Sequence, residues 1–369
     1  MAPVPPSSRP LPRPGRRVPV TGWGVISSGA IANAFAQDLA LSDTMHVTAI
    51  ASRDRSRAER FAIAHSGAAR TGKLRSVRPY DDLREMFDDP MVELVYVASL
   101  NIAHRDQALE AIERSQPVLC EKPLTTNAAE ARELVQAARR RGTFLSEAMW
   151  TRHLPAVLAA RKALEKGVIG EVRAVRASLL KKRAFDPASR LFDPAQGGGA
   201  MLDLGVYPLS LAVHFAGTPD HATGEWWANP AGTDSRAMLR LTCGKAEVEV
   251  ACGFTEEHRN RLIVQGTRGA LELDDCLRPT KLIVHRKPLK ELPPAAEPVG
   301  LLDPVTSLLV DDGGKTFDFE GSGLRFQAER AAQCARHGRT EMPETPLDET
   351  IAVLEVIDDV RANPPAGRL

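Results

Sequence analysis

Val20-Thr21-Gly22-Trp23-Gly24-Val25-Ile26-Ser27-Ser28-Gly29-Ala30-Ile31-Ala32 begins as an apolar run and ends in small residues. The run predicts a strand over Val20–Ile26, and the pattern that follows predicts a helix over Ile31–Leu41. A strand entering a helix through small residues is the setting of the dinucleotide fingerprint G-x-G-x-x-G/A. Ser27 takes the first position, Gly29 the second and Ala32 the third. Gly29 allows the backbone to approach a pyrophosphate, and Ala32 allows close helix–strand packing. The helix N-terminus adds N–H donors and partial positive charge for the phosphates.

The alternation continues outward from this turn. Strands are predicted over His46–Ala51, Leu94–Ala98 and Pro117–Cys120, and helices over Arg57–Ala64, Arg105–Arg114 and Asn127–Arg140. Short connections between them indicate an α/β unit, an N-terminal Rossmann doubly wound parallel sheet over residues 18–146. The pattern changes after Trp150. A helix over Pro155–Lys166 stops at Gly167, and strand-like runs follow at 172–178, 237–243, 246–252, 261–265 and 270–273. Glu247-Val248-Glu249-Val250 alternates as a sheet with one wet face does. Residues 147–369 therefore predict an α+β domain with a large, mostly antiparallel open sheet. Leu324–His337 and Leu347–Arg361 close it as amphipathic helices, and the Pro-rich stretch Lys287–Pro304 reads as an irregular surface loop.

Composition bounds the function classes. At 369 residues the chain exceeds one ordinary core. A net charge of +1 and 5% aromatic residues give no field or stacking surface for nucleic acid, so no such partner is expected. Five scattered cysteines include no Cys-x-x-Cys pair, and no two histidines are spaced for a zinc site, so no metal is expected. Free thiols fit a reducing, cytoplasmic compartment. Residues 1–17 are Pro- and Arg-rich and read as a disordered tail. Arg16-Arg17 as an export signal would need an uncharged apolar run and a cleavage site next, where the first strand and helix stand instead. No 18-residue apolar run is evident, so no membrane partner is expected.

Ser52-Arg53 follows the second strand, where an NAD enzyme usually carries an acid for the ribose hydroxyls. A hydroxyl and a guanidinium suit a 2′-phosphate, so NADP is expected over NAD. Asp54 reads as the N-cap of the next helix. Glu121-Lys122-Pro123 lies at the carboxyl edge of the sheet, where ligands bind. In Gly197–Pro208, Asp203 and Tyr207 share a face if the segment is helical. A Tyr phenol can protonate a nascent alkoxide, and a nearby Lys cation is expected to lower its pKa. Asp203 would orient the substrate hydroxyl or the tyrosine, although spacing alone favours Asp203 as a cap and Tyr207 as a half-buried core residue.

These motifs, with Asn101–His104, Glu147–Arg152 and Phe185–Asp193, resemble the Gfo/Idh/MocA oxidoreductases over nearly the whole chain past the tail. The branch they look most like contains the dimeric dihydrodiol dehydrogenase, NADP-dependent xylose dehydrogenase and 1,5-anhydrofructose reductase. The resemblance implies Lys122, Asp203 and Tyr207 as catalytic residues and a cis bond between Lys122 and Pro123. It places Ser27, Ser28, Gly29, Ala30, Ile31, Ser52, Arg53, Ser99, Asn101, His104, Glu121, Lys122, Trp150 and Arg152 around the cofactor. It also implies a homodimer through the C-terminal sheet and a sugar, cyclitol or dihydrodiol substrate. Ser27-Ser28 departs from the usual glycine-led turn, and His153 stands where the branch often has an aromatic; a packed histidine is expected there. Lys181-Lys182-Arg183, Phe185 and Arg190 would shape a polar pocket, although a charge run is usually a solvated face. Two other readings remain. A catalytically silent NADP(H)-sensing regulator is opposed by the intact Lys122/Tyr207 pair, and an NAD-dependent glycosidase of the same family is opposed by Ser52-Arg53.

Overall fold

The computed structural model describes residues 20–68, 74–258, 260–295 and 314–369. The expected tail over 1–17 and residues 296–304 of the expected loop lie outside them. The first half contains β1 (Thr21–Ile26), α1 (Ala30–Leu39), β2 (Met45–Ala51) and α2 (Arg55–His65). A short antiparallel pair follows, β3 (Gly67–Ala68) with β4 (Leu74–Arg75), then β5 (Arg78–Tyr80), α3 (Leu83–Phe87) and β6 (Leu94–Val97). α4 (Asn101–Glu113), β7 (Val118–Glu121), α5 (Ala128–Arg141) and β8 (Leu145–Ala148) complete it. Six strands form one parallel sheet in the order β5-β2-β1-β6-β7-β8. The chain builds outward from β1 to β5, then returns to the other side of β1 with β6. That reversal opens a crevice beyond the carboxyl ends of β1 and β6, the place where doubly wound sheets bind ligands.

Local chemistry explains most of the boundaries. Every residue of β1 and β6 is buried, as a strand covered on both faces requires. Asp54 caps α2 by accepting from the amides of Ser56 and Arg57, and Asn127 caps α5 through Glu130. α5 ends at Gly142 with φ +63, its last turn carrying Arg139, Arg140 and Arg141. β5, α3 and β8 escape sequence reading. β5 has three residues, and β8 interrupts its apolar pattern with Ser146 and Glu147, which are nonetheless buried. β8 also carries the parallel sheet past the expected boundary at 146.

The second half holds α6 (Pro155–Glu165), β9 (Val172–Leu180), α7 (Val206–Ala216), β10 (His221–Ala228), β11 (Asp234–Cys243), β12 (Ala246–Gly253), β13 (Leu262–Gly266), β14 (Ala270–Leu273) and β15 (Lys281–His285). β16 (Lys315–Thr316), α8 (Leu324–Arg336), α9 (Leu347–Ala362) and β17 (Gly367–Arg368) close it. Nine strands run β16-β15-β14-β13-β9-β12-β11-β10-β17, antiparallel except for β9 with β12 and β10 with β17. Glu247 is exposed and Val248 buried, giving the expected wet face, but Val250–Gly253 is buried throughout. Ala295 explains part of that, because it packs with Leu180 and Ala251.

α7 is buried from Val206 to Phe215 and packs on β9 and β12. Its apolarity corrects one expectation. The helical run 194–216 reaches a mean hydropathy of 1.2 over 18 residues, enough by length and composition to cross a membrane, yet 89% of that window is buried inside the protein. α8 returns to pack on α1, and α9 on α5, α7 and β10. The closing helices thus tie the second half onto the first.

Candidate active site

The turn after β1 is held in an unusual conformation. Ser27 has φ +83, a left-handed backbone that disfavours any residue with a Cβ, and its amide donates to the carbonyl of Ala51 at 2.8 Å. Gly29 is the N-cap of α1, and no side chain caps that helix end. A Cβ placed on Gly29 would meet nothing nearer than Ser27 Oγ at 3.7 Å, so the turn faces open space. That space is a cleft of about 1400 Å³ running from α2 to the end of β7. Ser27, Ser28, Gly29, Ala30 and Ile31 line it, as do Ser52, Arg53, Ser99, Asn101, His104, Glu121 and Lys122. Asp54 and Asp81 line its outer end, where Arg53 is joined by Arg57 and Arg60 of α2. Their spacing along α2 is legible in the sequence once α2 is known to run beside the cleft. An uncapped helix end beside an open glycine suits an anionic phosphate group.

The inner end of the cleft gathers side chains from both halves. Lys122 Nζ donates to the backbone carbonyl of Asp203 at 2.6 Å, stands 3.7 Å from its carboxylate, and lies 4.6 Å above the Tyr207 ring centroid. Lys122 precedes a cis bond to Pro123. Asp203 sits in a π-helical turn, Met201–Gly205, that runs into α7, and such turns are concentrated at functional sites. Gly197-Gly198-Gly199 before it leaves no room for side chains. A Cβ on Gly199 would strike Asp234 and Arg361. Asp234 accepts from the amide of Met201 at 2.6 Å and is itself held by Arg361 of α9, whose guanidinium also reaches the carbonyl of Gly198. Sequence reading missed both, since nothing local pairs residues so distant.

Electrostatics at this end differ from expectation in one respect. Burial alone would depress Lys122, but electrostatic coupling to Tyr207, Asp203 and Glu121 outweighs it and holds the ammonium above its ordinary value. Tyr207 was expected to be lowered by the lysine. Burial pushes the phenol up more strongly than Lys122 and the Trp150 hydrogen bond pull it down, so the net shift is upward. Glu121 is buried and pushed up to about 7 by desolvation. Its carboxylate accepts from the Tyr96 hydroxyl and, at 3.1 Å, from the Lys122 amide.

Two expected cofactor residues have other surroundings. Arg152 does not line the cleft. It is 1% exposed and donates to Ser210 Oγ and carbonyl, the Glu344 carbonyl and Glu349 Oε2, bracing α7 against α9. Its ionic partner lies in α9, which the sequence spacing cannot reveal. Trp150 is also outside the cleft lining, and its Nε1 donates to Tyr207 Oη at 3.2 Å. His104 lines the cleft with both ring nitrogens turned to backbone carbonyls, Nδ1 to Pro123 and Nε2 to Ser99, and burial lowers its pKa. Asn101 Nδ2 bonds the Gly197 carbonyl, joining the two halves at the crevice. His153 is packed as expected, 3% exposed against Thr345, and burial lowers it to about 4. Of the basic run, Lys182 and Arg183 are exposed away from the cleft, whereas Arg190 reaches it and lies 3.9 Å from Asp203.

Residues 21–149 match the family model for the oxidoreductase family with an NAD-binding Rossmann fold, and residues 157–272 match the Gfo/Idh/MocA C-terminal domain. The trans-1,2-dihydrobenzene-1,2-diol dehydrogenases of Bos taurus and Homo sapiens are each 33% identical over 346 residues, covering 92% of this chain and 95% of those proteins. Solved structures share the fold. A 3-ketoreductase from Actinomadura kijaniata in complex with NADP and TDP-benzene superposes with a TM-score of 0.73 at 24% identity, covering 95% of this chain and 99% of that one. An aldose-aldose oxidoreductase from Caulobacter crescentus gives 0.74 at 21%, covering 92% and 96%.

Proposed function

The chain belongs to the Gfo/Idh/MocA family of NAD(P)-binding oxidoreductases, and from that premise we propose that it moves a hydride between NADP(H) and the CH–OH/C=O group of a sugar, cyclitol or dihydrodiol. The observation that carries this reading is the convergence of Lys122 Nζ on Asp203 and Tyr207 at the inner end of the cleft. Tyr207 is the proton donor in reduction and the acceptor in oxidation. Lys122, charged at neutral pH, stabilises the oxygen anion on either partner, and Asp203 with Arg190 orients the remaining hydroxyls. When bound, NADP(H) supplies the hydride or takes it. Arg53, Arg57 and Arg60 hold its 2′-phosphate, the Ser27–Ile31 turn its pyrophosphate, and Ser99, Asn101, His104 and Glu121 shape the wall beyond. The Tyr207 phenol, held above its ordinary value, is protonated at neutral pH, which is the state ready for reduction.

The parallel-sheet half, through β8, acts as the cofactor unit and the half after it as the substrate and dimerisation unit, with the homodimer forming through the nine-stranded sheet. The five cysteines, all unpaired and buried, accord with a cytoplasmic enzyme. The reading is tested by following reduced-nicotinamide absorbance with NADP+ and NAD+ across trans-dihydrodiols, aldoses and cyclitols. Turnover of at least one class, faster with NADP+, is the expected result. A chain that binds NADPH but turns over nothing would be the regulatory protein instead, and tightly held, stoichiometric NAD would point to the glycosidase.

A further inference from the structure

We propose that Asn33, itself at the wall of the cleft and oriented by His65, locks the Ser27–Gly29 turn in its binding conformation, so that these two side chains set the affinity for the cofactor pyrophosphate through the turn. The inference rests on the reading of that turn as the pyrophosphate site.

Asn33 lies one turn into α1. Its Nδ2 donates to the carbonyls of both Ser28 (3.0 Å) and Gly29 (2.9 Å), using both amide hydrogens. Its Oδ1 faces His65 Nε2 at 2.8 Å. This arrangement fixes the amide's orientation, since a flipped amide would set its oxygen against two carbonyl oxygens. His65 then serves as the donor that holds Oδ1 away from the turn. It is the last residue of α2, and its ring packs on Phe61, with centroids 4.3 Å apart.

The turn needs such a hold. Ser27 is in a left-handed conformation that a residue with a Cβ resists, and nothing packs on Gly29 from the cleft side. With its carbonyls drawn back onto Asn33, the turn leaves the first amides of α1, which no side chain caps, facing the cleft. The same bond ties the turn to α2, the helix that carries Arg57 and Arg60 at the outer wall. Asn33 and His65 are therefore positioning residues. They raise the fraction of molecules whose turn is ready, and the apparent dissociation constant scales inversely with that fraction.

Equilibrium titration of the full-length protein with two probes tests this. Asn33→Ala is expected to weaken NADP+ binding about tenfold, the order of one or two lost neutral hydrogen bonds acting on the turn's population. Adenosine 2′-monophosphate, which has no pyrophosphate, should bind the variant as it binds the wild type. Asn33→Asp, isosteric but without N–H donors, should match or exceed the loss. His65→Leu should lose about threefold and His65→Gln, which restores an N–H donor, should recover most of it. Unchanged NADP+ affinity in Asn33→Ala, or equal loss of both probes, overturns the proposal, because the second outcome means a loosened domain rather than a released turn. A wild type that prefers NAD+ would defeat the NADP reading alone. The pyrophosphate is common to both cofactors, so NAD+ compared with adenosine then decides the lock in the same way.

Discussion

Replacing Tyr207 by Phe removes one oxygen and leaves the ring over which Lys122 Nζ lies at 4.6 Å. Two separable losses follow. Trp150 Nε1, which donates to that oxygen at 3.2 Å, is left without its acceptor in a site where both residues are under a tenth exposed. An orphaned buried donor costs about 1–3 kcal/mol, which lowers the unfolding midpoint of a chain this size by several degrees. Loss of the proton donor is larger, about 10²–10⁴ in turnover, or about 3–5 kcal/mol on the barrier. Both are measured on one preparation, by reduced-nicotinamide absorbance in each direction and by thermal unfolding. Trp150→Phe is the control. It breaks the same hydrogen bond but keeps the phenol, so turnover should fall less than about tenfold. Because burial holds Tyr207 above its ordinary value, wild-type alcohol oxidation should climb with pH through the alkaline range as the phenolate forms. Tyr207→Phe should lose that slope. A Phe variant with wild-type turnover and an unchanged slope would show that another group carries the proton.

Arg53→Ala and Arg57→Ala should each weaken NADP+ binding by about ten- to a hundredfold, the range of a lost charge-assisted phosphate contact, while NAD+ affinity barely moves. Equal losses for both cofactors would remove these arginines from the 2′-phosphate. Arg152→Ala should cost about 3 kcal/mol in urea unfolding, because a buried cation with four protein acceptors is deleted, yet leave the NADP+ dissociation constant within about twofold. A large affinity loss without destabilisation would return Arg152 to the cofactor site. Glu121, at about 7 when folded, keeps a proton that the unfolded chain releases near its ordinary value of 4.5. Its contribution is full at low pH and is lost as pH rises through that window, by about 3 kcal/mol. Glu121→Gln should therefore gain on the wild type between about pH 4.5 and about pH 7 in urea midpoints; a constant gap would contradict the shift.

The elements that were legible share a property. β1, β2, β6 and β7 are short apolar runs bounded by turn residues, and α2 and α5 carry Asp and Asn caps, so each announces itself within a few residues. β8 does not, because Ser146 and Glu147 break its apolar run. Glu147 is tolerated there by bonds to the Leu124 amide and the Thr350 hydroxyl, the latter on α9. α7 was hidden for the opposite reason, since a helix buried on every face shows no amphipathic period.

The site divides along the same line. Residue types within one strand, turn and helix determined that a strand turns into a helix through Ser27–Ala32, that no acid stands at Ser52-Arg53 after the second strand, and that Lys122 follows a sheet strand, because period, caps and turn chemistry act over a few residues. Only the tertiary structure decided that Arg152 faces α7 and α9 rather than the cleft and that Arg57, Arg60 and Arg190 reach it. It also decided that burial outweighs Lys122 at the Tyr207 phenol. Direction and desolvation are set by whatever packs alongside, and here the packing partners come from helices far along the chain.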